Sequence, residues 1–418
     1  MKPGRLSSGI LLPSGFLFAG AAAGLKKAGG LDLGLIEAPA GTAAAAVFTT
    51  NRVVAAPVAV GRLHLRAAGG RVRAVIINSG NANCATGPRG LRDCLRVCEQ
   101  VAESLGESRE RVFPSSTGVI GVPLPAHCIL AALPRLLRGR RASRAALRRF
   151  AHAIMTTDTR PKLASVRFRY SSSVAVLTGV AKGAGMIHPQ MATMLVYLFT
   201  DIAATPAELR RCLRPAAART FNRISVDGDT STNDTVLLLA SGSTGAHHPE
   251  RKSKGGARAH RRPAPADRRR FTAALEAVCA SLAEQIVADG EGVQHLVRLR
   301  VEGARTEAEA QQVARTIANS SLVKTAWAGA DPNWGRILAA VGRSSVPVDP
   351  SRIDIFLGAQ QVCRQGAACA FDERRAHRTL SQRHFDVSVR LGRGRAAASF
   401  LTCDLTADYV RVNASYRS

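Results

Sequence analysis

Four short stretches of the chain are apolar almost without interruption: "RAVIINSG" (73–80), "SVAVLTGVA" (173–181), "MLVYLF" (194–199) and "TVLLLASG" (235–242). Runs of this length, rich in Val, Ile and Leu and closed by small polar residues, predict strands buried on both faces. A different period governs "LRDCLRVCEQVAESLG" (91–106). Its apolar residues Leu91, Cys94, Leu95, Cys98 and Val101 fall on one helical face, and Gly106 is a stop. Two further helix starts carry capping boxes. Thr205-Pro206-Ala207-Glu208 places Pro at the first helical position, and Thr306-Glu307-Ala308-Glu309 leads into Val313, Ala314 and Ile317. Strand-like and helix-like segments alternate, which predicts an α/β or mixed α+β class. Residues 253–267 show no apolar period and predict a surface loop. No internal repeat is visible.

Composition changes this picture in one respect. Of 418 residues, 46% are hydrophobic and 21% charged, which is ordinary for a globular chain, but the formal net charge is +28 and most of the cations are Arg. A nucleic-acid partner calls for one dense basic surface with stacking aromatics. Aromatics are 5%, and the Arg residues are spread thinly apart from a basic helix face expected over 135–150 and a low-complexity stretch at 247–270. Neither carries a nucleic-acid motif, so no nucleic-acid partner is expected. The opening segment has early basic residues and an apolar stretch, but Pro13, Ser14 and Gly15 interrupt it, so a secretion leader is not expected. No run of 18 apolar residues suggests a membrane span. Nine cysteines without a CxxC pair fit reduced thiols, and no Cys/His spacing suggests a metal.

Six stretches dense in Gly, Asn, Asp, Ser and Thr sit against predicted strands: "NSGNANCATG" (78–87), "PSSTGVIGVPLP" (114–125), "TTDTRPK" (156–162), "VDGDTSTNDT" (226–235), "DGEG" (289–292) and "GADPNWGR" (329–336). Any one reads as a tight turn; six together predict the walls of a polar pocket. The common phosphate and nucleophile motifs are absent. "GAG" at 183–185 lacks the third glycine of a dinucleotide loop, no Walker A pattern follows a strand, and no GxSxG elbow occurs. His188 is a weak base candidate, since its place beside Pro189 also suits a plain turn. Thr193 heads the apolar run 194–199. Its hydroxyl becomes a nucleophile only with a base beside it, and its own α-amine, with a reference pKa near ~8, is one economical choice. That amine exists only if the bond after Ala192 is cut. Ala192 is small, and Gly183 and Gly185 permit the bend such a cut requires. The bland reading, a loop-to-strand junction, stands beside this one.

The motifs themselves carry a resemblance. "VFTTNR", "NSGNAN", "STGVIG", "MTTDT", "AKGAGMIHPQMATML", "FNRISVDGDTSTNDT", "QIVADGEG", "LVKTAWAGADPNWGRILAAVGRS" and the terminal "YVRVNASYRS" occur in the order found in the ornithine acetyltransferase family. These are the bifunctional glutamate N-acetyltransferase / amino-acid acetyltransferases of arginine biosynthesis. The resemblance runs nearly end to end. It implies a layered helix/sheet α/β fold with an N-terminal-nucleophile-like threonine. The precursor would cleave itself between Ala192 and Thr193 into an α chain of residues 1–192 and a β chain of 193–418. Residues 193–285 would complete a shared core, and 286–418 would close the substrate pocket. The implied reaction is ping-pong: N2-acetyl-L-ornithine acetylates Thr193, ornithine leaves, and L-glutamate departs as N-acetyl-L-glutamate. By motif, Thr117 and Gly118 would form the oxyanion hole, and Thr159, Lys182, Thr193, Glu291, Asn413 and Ser418 would bind substrate. No cofactor or metal is implied, although acetyl-CoA is a co-substrate of some members. The implied assembly is an α2β2 heterotetramer in the cytoplasm.

Three departures from the family pattern stand out. Ala184 replaces a common Ser, Gln190 replaces Asn, and Val293-Gln294-His295 replaces an Ala-Thr-Lys run after Glu291. The first two flank the cleavage site and bear on its rate; the third bears on substrate preference. The alternative within enzymes is a related self-cleaving amidase or aminopeptidase.

Overall fold

The apolar runs become strands, and the boundaries follow the sequence closely. The computed structural model describes residues 6–188, 194–244 and 264–414. The chain divides into two units. The first takes residues 1–183, 193–220 and 231–282; the second takes 184–192, 221–230 and 283–418. The first therefore draws on both sides of the Ala192–Thr193 bond.

In the first unit the strands are β1 Leu17–Ala21, β2 Leu33–Glu37, β3 Ala43–Phe48, β4 Ala74–Asn81, β5 Val112–Val119, β6 Lys162–Tyr170, β7 Ser173–Lys182, β8 Leu195–Thr200 and β9 Thr235–Ala240. The helices are α1 Ala56–Ala67, α2 Gly87–Leu105, α3 Ala126–Arg138, α4 Arg144–Ala153, α5 Pro206–Arg219 and α6 Pro265–Ala288, the last running on past Leu282. One sheet has the order β1-β2-β4-β5 and another β3-β9-β8-β7-β6. Their facing sides share a core in which Phe18 meets Phe199 edge-on at 5.2 Å and Phe150 meets Tyr197 at 5.8 Å. The outer side of the four-stranded sheet packs on α2 and α3 through Cys94, Cys98, Ile129 and Leu133. On the other sheet, Gly179 has no side chain because Leu282 and Val278 of α6 fill that space; a Cβ there would lie 2.6 Å from Leu282. By length and composition α6 is apolar enough to cross a bilayer. Here Leu275, Val278, Cys279 and Leu282 are buried, and three arginines follow its first turn.

The second unit has β10 Leu296–Ala304, β11 Asp354–Leu357, β12 Gln360–Arg364, β13 Ala367–Ala368, β14 His384–Arg390 and β15 Ala396–Cys403 in the order β13-β12-β11-β14-β10-β15. Its helices are α7 Glu307–Ala318, α8 Ser321–Ala328, α9 Trp334–Gly342, α10 Glu373–Leu380 and α11 Ala407–Ala414. Its own core centres on Trp327, Phe385, Val387 and Leu299.

Five expectations need correction. The basic helix expected over 135–150 is two helices: α3 ends at Arg138, and Ser143 caps α4 by accepting the Ala146 N–H at 3.1 Å. Of the loop expected over 253–267, residues 253–263 lie outside the described residues, and its end is helical because Pro265 opens α6 and Pro suits a first helical turn. Leu91 is exposed, and the buried face of α2 runs through Gly90, Cys94, Val97, Cys98, Val101 and Ala102 instead. The capping box at Thr205 is complete, but at Thr306 the Glu309 carboxylate turns back to the Arg305 N–H instead. Finally, "GADPNWGR" joins α8 to α9 and caps the latter through Asn333, so it is a helix turn and not a strand end.

Candidate active site

Cleavage would not separate the two halves of the first unit, because β7 and β8 pair antiparallel across the bond in question. Lys182, the last residue of β7, is opposite Leu195, the first of β8. The Met194 N–H, one residue after Thr193, donates to Asp234 Oδ1 at 2.9 Å. Thr193, Ala192 and Ser418 themselves lie outside the described residues.

Lys182 extends its ammonium into the interior and donates to Thr117 Oγ1 at 3.1 Å; both residues are buried. A hydroxyl that accepts this bond keeps its proton to donate elsewhere. Gly118 follows with φ +133, and a Cβ there would lie 2.3 Å from the Gly80 carbonyl carbon. No other residue fits, and the constraint comes from β4, whose parallel pairing with β5 becomes irregular at Gly80 and Asn81. The polar stretches knit together around this point. Ser116 Oγ donates to Asn78 Oδ1 at 2.6 Å, and Asn233 Nδ2 donates to the carbonyls of Ala82 and Ser116 at 2.7 and 2.9 Å.

Nothing in the sequence singles out Asp158, yet it organises the cations. Its Oδ1 accepts Lys162 Nζ at 2.6 Å and the Gly183 N–H at 2.7 Å, and its Oδ2 accepts the Thr156 N–H at 3.0 Å. Burial works against the charge, but Lys182, Lys162 and the Gly183 N–H outweigh it and hold the carboxyl at about 2. Thr159, one residue on, is exposed. Asp158→Asn leaves the fully buried Lys162 ammonium without its carboxylate. Breaking a buried pair this way typically costs about 3–5 kcal/mol. Chemical denaturation near pH 7 is expected to show a loss of that order. Because the folded pKa lies below the ordinary 3.8, the stabilisation from Asp158 is complete above about pH 4 and lost as pH falls through about 2. The variant should lack that acid dependence.

Asp234 behaves in the opposite way. Burial pushes its carboxyl well above the usual range despite the Met194 N–H, and its Oδ2 is buried with no hydrogen-bond partner among the described residues.

In the second unit, Asn413 Nδ2 donates to Glu291 Oε2 at 2.8 Å, joining two expected substrate contacts 122 residues apart. The Glu291 N–H donates to the Ala184 carbonyl at 2.9 Å, and a Cβ on Gly185 would lie 2.3 Å from the Glu291 carboxylate. A side chain at 185 would therefore displace the Glu291 carboxylate from this position. The segment leading toward Ala192 is gripped by a third unexpected acid, Asp227. It accepts the Met186 and Ile187 N–H groups at 2.5 and 2.8 Å, with Met186 in the left-handed region at φ +56. Burial raises the Asp227 carboxyl to about 6. The Asp229 N–H also donates to it, at 3.2 Å, and the Tyr409 hydroxyl donates to Oδ2 at 3.3 Å; burial pushes that phenol upward too. His188 Nδ1 is 3.5 Å from Thr230 Oγ1.

A buried hydroxyl held by an ammonium, next to a glycine that admits no side chain, can donate to a developing oxyanion. Known proteins resemble this chain over its length. A model of the ArgJ family matches residues 17–418. The arginine biosynthesis bifunctional protein ArgJ of Symbiobacterium thermophilum is 45% identical over 99% of both chains. That of Methylococcus capsulatus is 47% identical over 97% of this chain and 96% of its own. Among solved structures, the arginine biosynthesis bifunctional protein argJ of Bacillus halodurans is 39% identical, over 53% of this chain and 98% of its own, with a TM-score of 0.46. The ornithine acetyltransferase of Mycobacterium tuberculosis, solved with ornithine, is 38% identical over 46% of this chain and 99% of its own, with a TM-score of 0.41. On the family match and the full-length relatives, this chain belongs to the ArgJ family.

Proposed function

We propose that this chain is a self-processing acetyltransferase of arginine biosynthesis that moves an acetyl group from N2-acetyl-L-ornithine to L-glutamate through an acetyl-Thr193 ester. The observation that carries the reading is the Lys182–Thr117 bond at the end of β7, with Lys182 paired to Leu195 just beyond Thr193. Attack of the Thr193 hydroxyl on the Ala192 carbonyl gives an ester by N-to-O acyl shift, and water releases residues 1–192. The freed α-amine then takes the hydroxyl proton as the same oxygen attacks the acetyl donor. Each addition creates a tetrahedral oxyanion, which the Thr117 hydroxyl and the Gly118 N–H stabilise. Glu291 and Asn413 serve substrate binding, with Glu291 facing the side-chain amine of ornithine; Thr159 and Ser418 complete the set, and Lys182 orients the Thr117 hydroxyl.

The relatives are named bifunctional, and we extend this to acetyl-CoA as a second donor. Nine free cysteines, most of them buried, suit a reducing cytoplasm, and an α2β2 assembly is the expected form.

Incubation with N2-acetyl-L-ornithine and L-glutamate should give ornithine and N-acetyl-L-glutamate in equal amounts. Acetate as the sole acyl product would favour the amidase alternative and overturn transfer. Acetyl-CoA and glutamate without acetylornithine should also give N-acetyl-L-glutamate; zero turnover would remove the second activity.

A further inference from the structure

A groove of about 870 Å³ opens in the first unit among β6, α5 and α6, and arginines dominate its lining. The edge strand β6 contributes Arg167 and Arg169, α5 contributes Arg211 and Arg219, and α6 contributes three consecutive arginines from Arg268. Among the described residues, Glu276 is the sole acidic residue lining it. Arg219 pairs with Glu276, and Arg270 pairs with Asp267 at 3.2 Å. The other five have no carboxylate partner within 4.0 Å among the described residues. Like charges gathered in a concave surface repel one another and focus a positive potential. An anion relieves both.

We propose that this groove binds a compact anion carrying two or more linked phosphates. The guanidinium fork matches phosphate oxygens two at a time, which a lysine patch does not. The volume lies within the range of small-molecule pockets, about 300–1,000 Å³. A nucleic-acid strand fits less well: it wants exposed aromatic platforms, and no aromatic is among the large hydrophobic side chains exposed on the described residues. Phe168, which lines the groove, is buried and packs on Tyr170 and Phe271. The groove is distinct from the acyl-transfer cluster. Lys162 and Lys182 are at one end of the β6–β7 hairpin and Arg169 is near the other, roughly 20 Å away at about 3.3 Å per residue.

The test is calorimetric titration of the full chain with inorganic tripolyphosphate at physiological salt. The expected result is saturable binding that weakens at least tenfold in R167Q/R211Q and is unchanged in R374Q/R375Q, on the exposed face of α10. Unaltered acetyl transfer by R167Q/R211Q verifies that it is folded. ADP and AMP separate the sources: ADP tighter than tripolyphosphate, with AMP weaker, assigns a nucleotide, and the reverse order assigns an inorganic chain. Absence of saturable binding, equal weakening in both double variants, or tighter binding of single-stranded DNA than of any of these would overturn the proposal.

Discussion

Thr193→Ala leaves the polypeptide in one piece and removes acetyl transfer. Denaturing mass analysis of the wild type should show two fragments, residues 1–192 and 193–418, and of the variant a single chain. Alanine has no oxygen to attack the Ala192 carbonyl, so neither the ester nor a free α-amine forms. Removing a nucleophile that acts as a unit with its base costs kcat at least ~10⁴-fold. Thr193→Ser keeps a hydroxyl and should still cleave and transfer, more slowly because Ser lacks the methyl group that restrains Thr at χ1. The variant should fold, since β8 is fixed independently of residue 193: all six of its residues are buried, and β7 and β9 flank it. A wild-type chain that transfers acetyl groups while intact would falsify the role of the α-amine as base.

What could be read from the sequence divides along a physical line. Local periodicity found β4, β7, β8, β9 and α2, because each buries its apolar residues in a regular pattern that needs no knowledge of neighbours. The same local logic failed at 135–150, where Gly139 and Ser143 interrupt a basic run that looks uniform in charge. Family motifs supplied Thr117 and Gly118, and the geometry gives the reason for the glycine: at φ +133 its missing Cβ is where the Gly80 backbone passes. The three organising acids were not found. Asp158, Asp227 and Asp234 stand in polar stretches that resemble solvated turns, and only the fold makes them buried or half-enclosed acceptors of backbone N–H groups. Nor does spacing reveal that Lys182 and Thr117, 65 residues apart, meet. The family motif assigned Lys182 to substrate binding without showing that its ammonium bonds Thr117 in the interior, beside Asp158.

Thr117→Ala is expected to lower kcat for acetyl transfer by about 10²–10³, the usual cost of one oxyanion donor, with little change in KM. The role of Lys182 is decided by the same measurement on Lys182→Met. If its ammonium gripped a substrate carboxylate, KM would rise while kcat held. Because it is buried and donates to Thr117, its loss should lower kcat instead: the hydroxyl loses the bond that orients its proton toward the reacting oxygen. The two effects then share a mechanism, and Thr117→Ala/Lys182→Met should be hardly worse than Thr117→Ala alone. Losses that multiply would separate the two residues and return Lys182 to substrate binding. One complication is built into the site. Lys182 is also the strongest favourable charge on Asp158, so its removal lets the Asp158 carboxyl rise toward its ordinary value. Lys162 remains bonded to that carboxylate at 2.6 Å, which should keep Lys182→Met folded at neutral pH while its acid unfolding shifts upward.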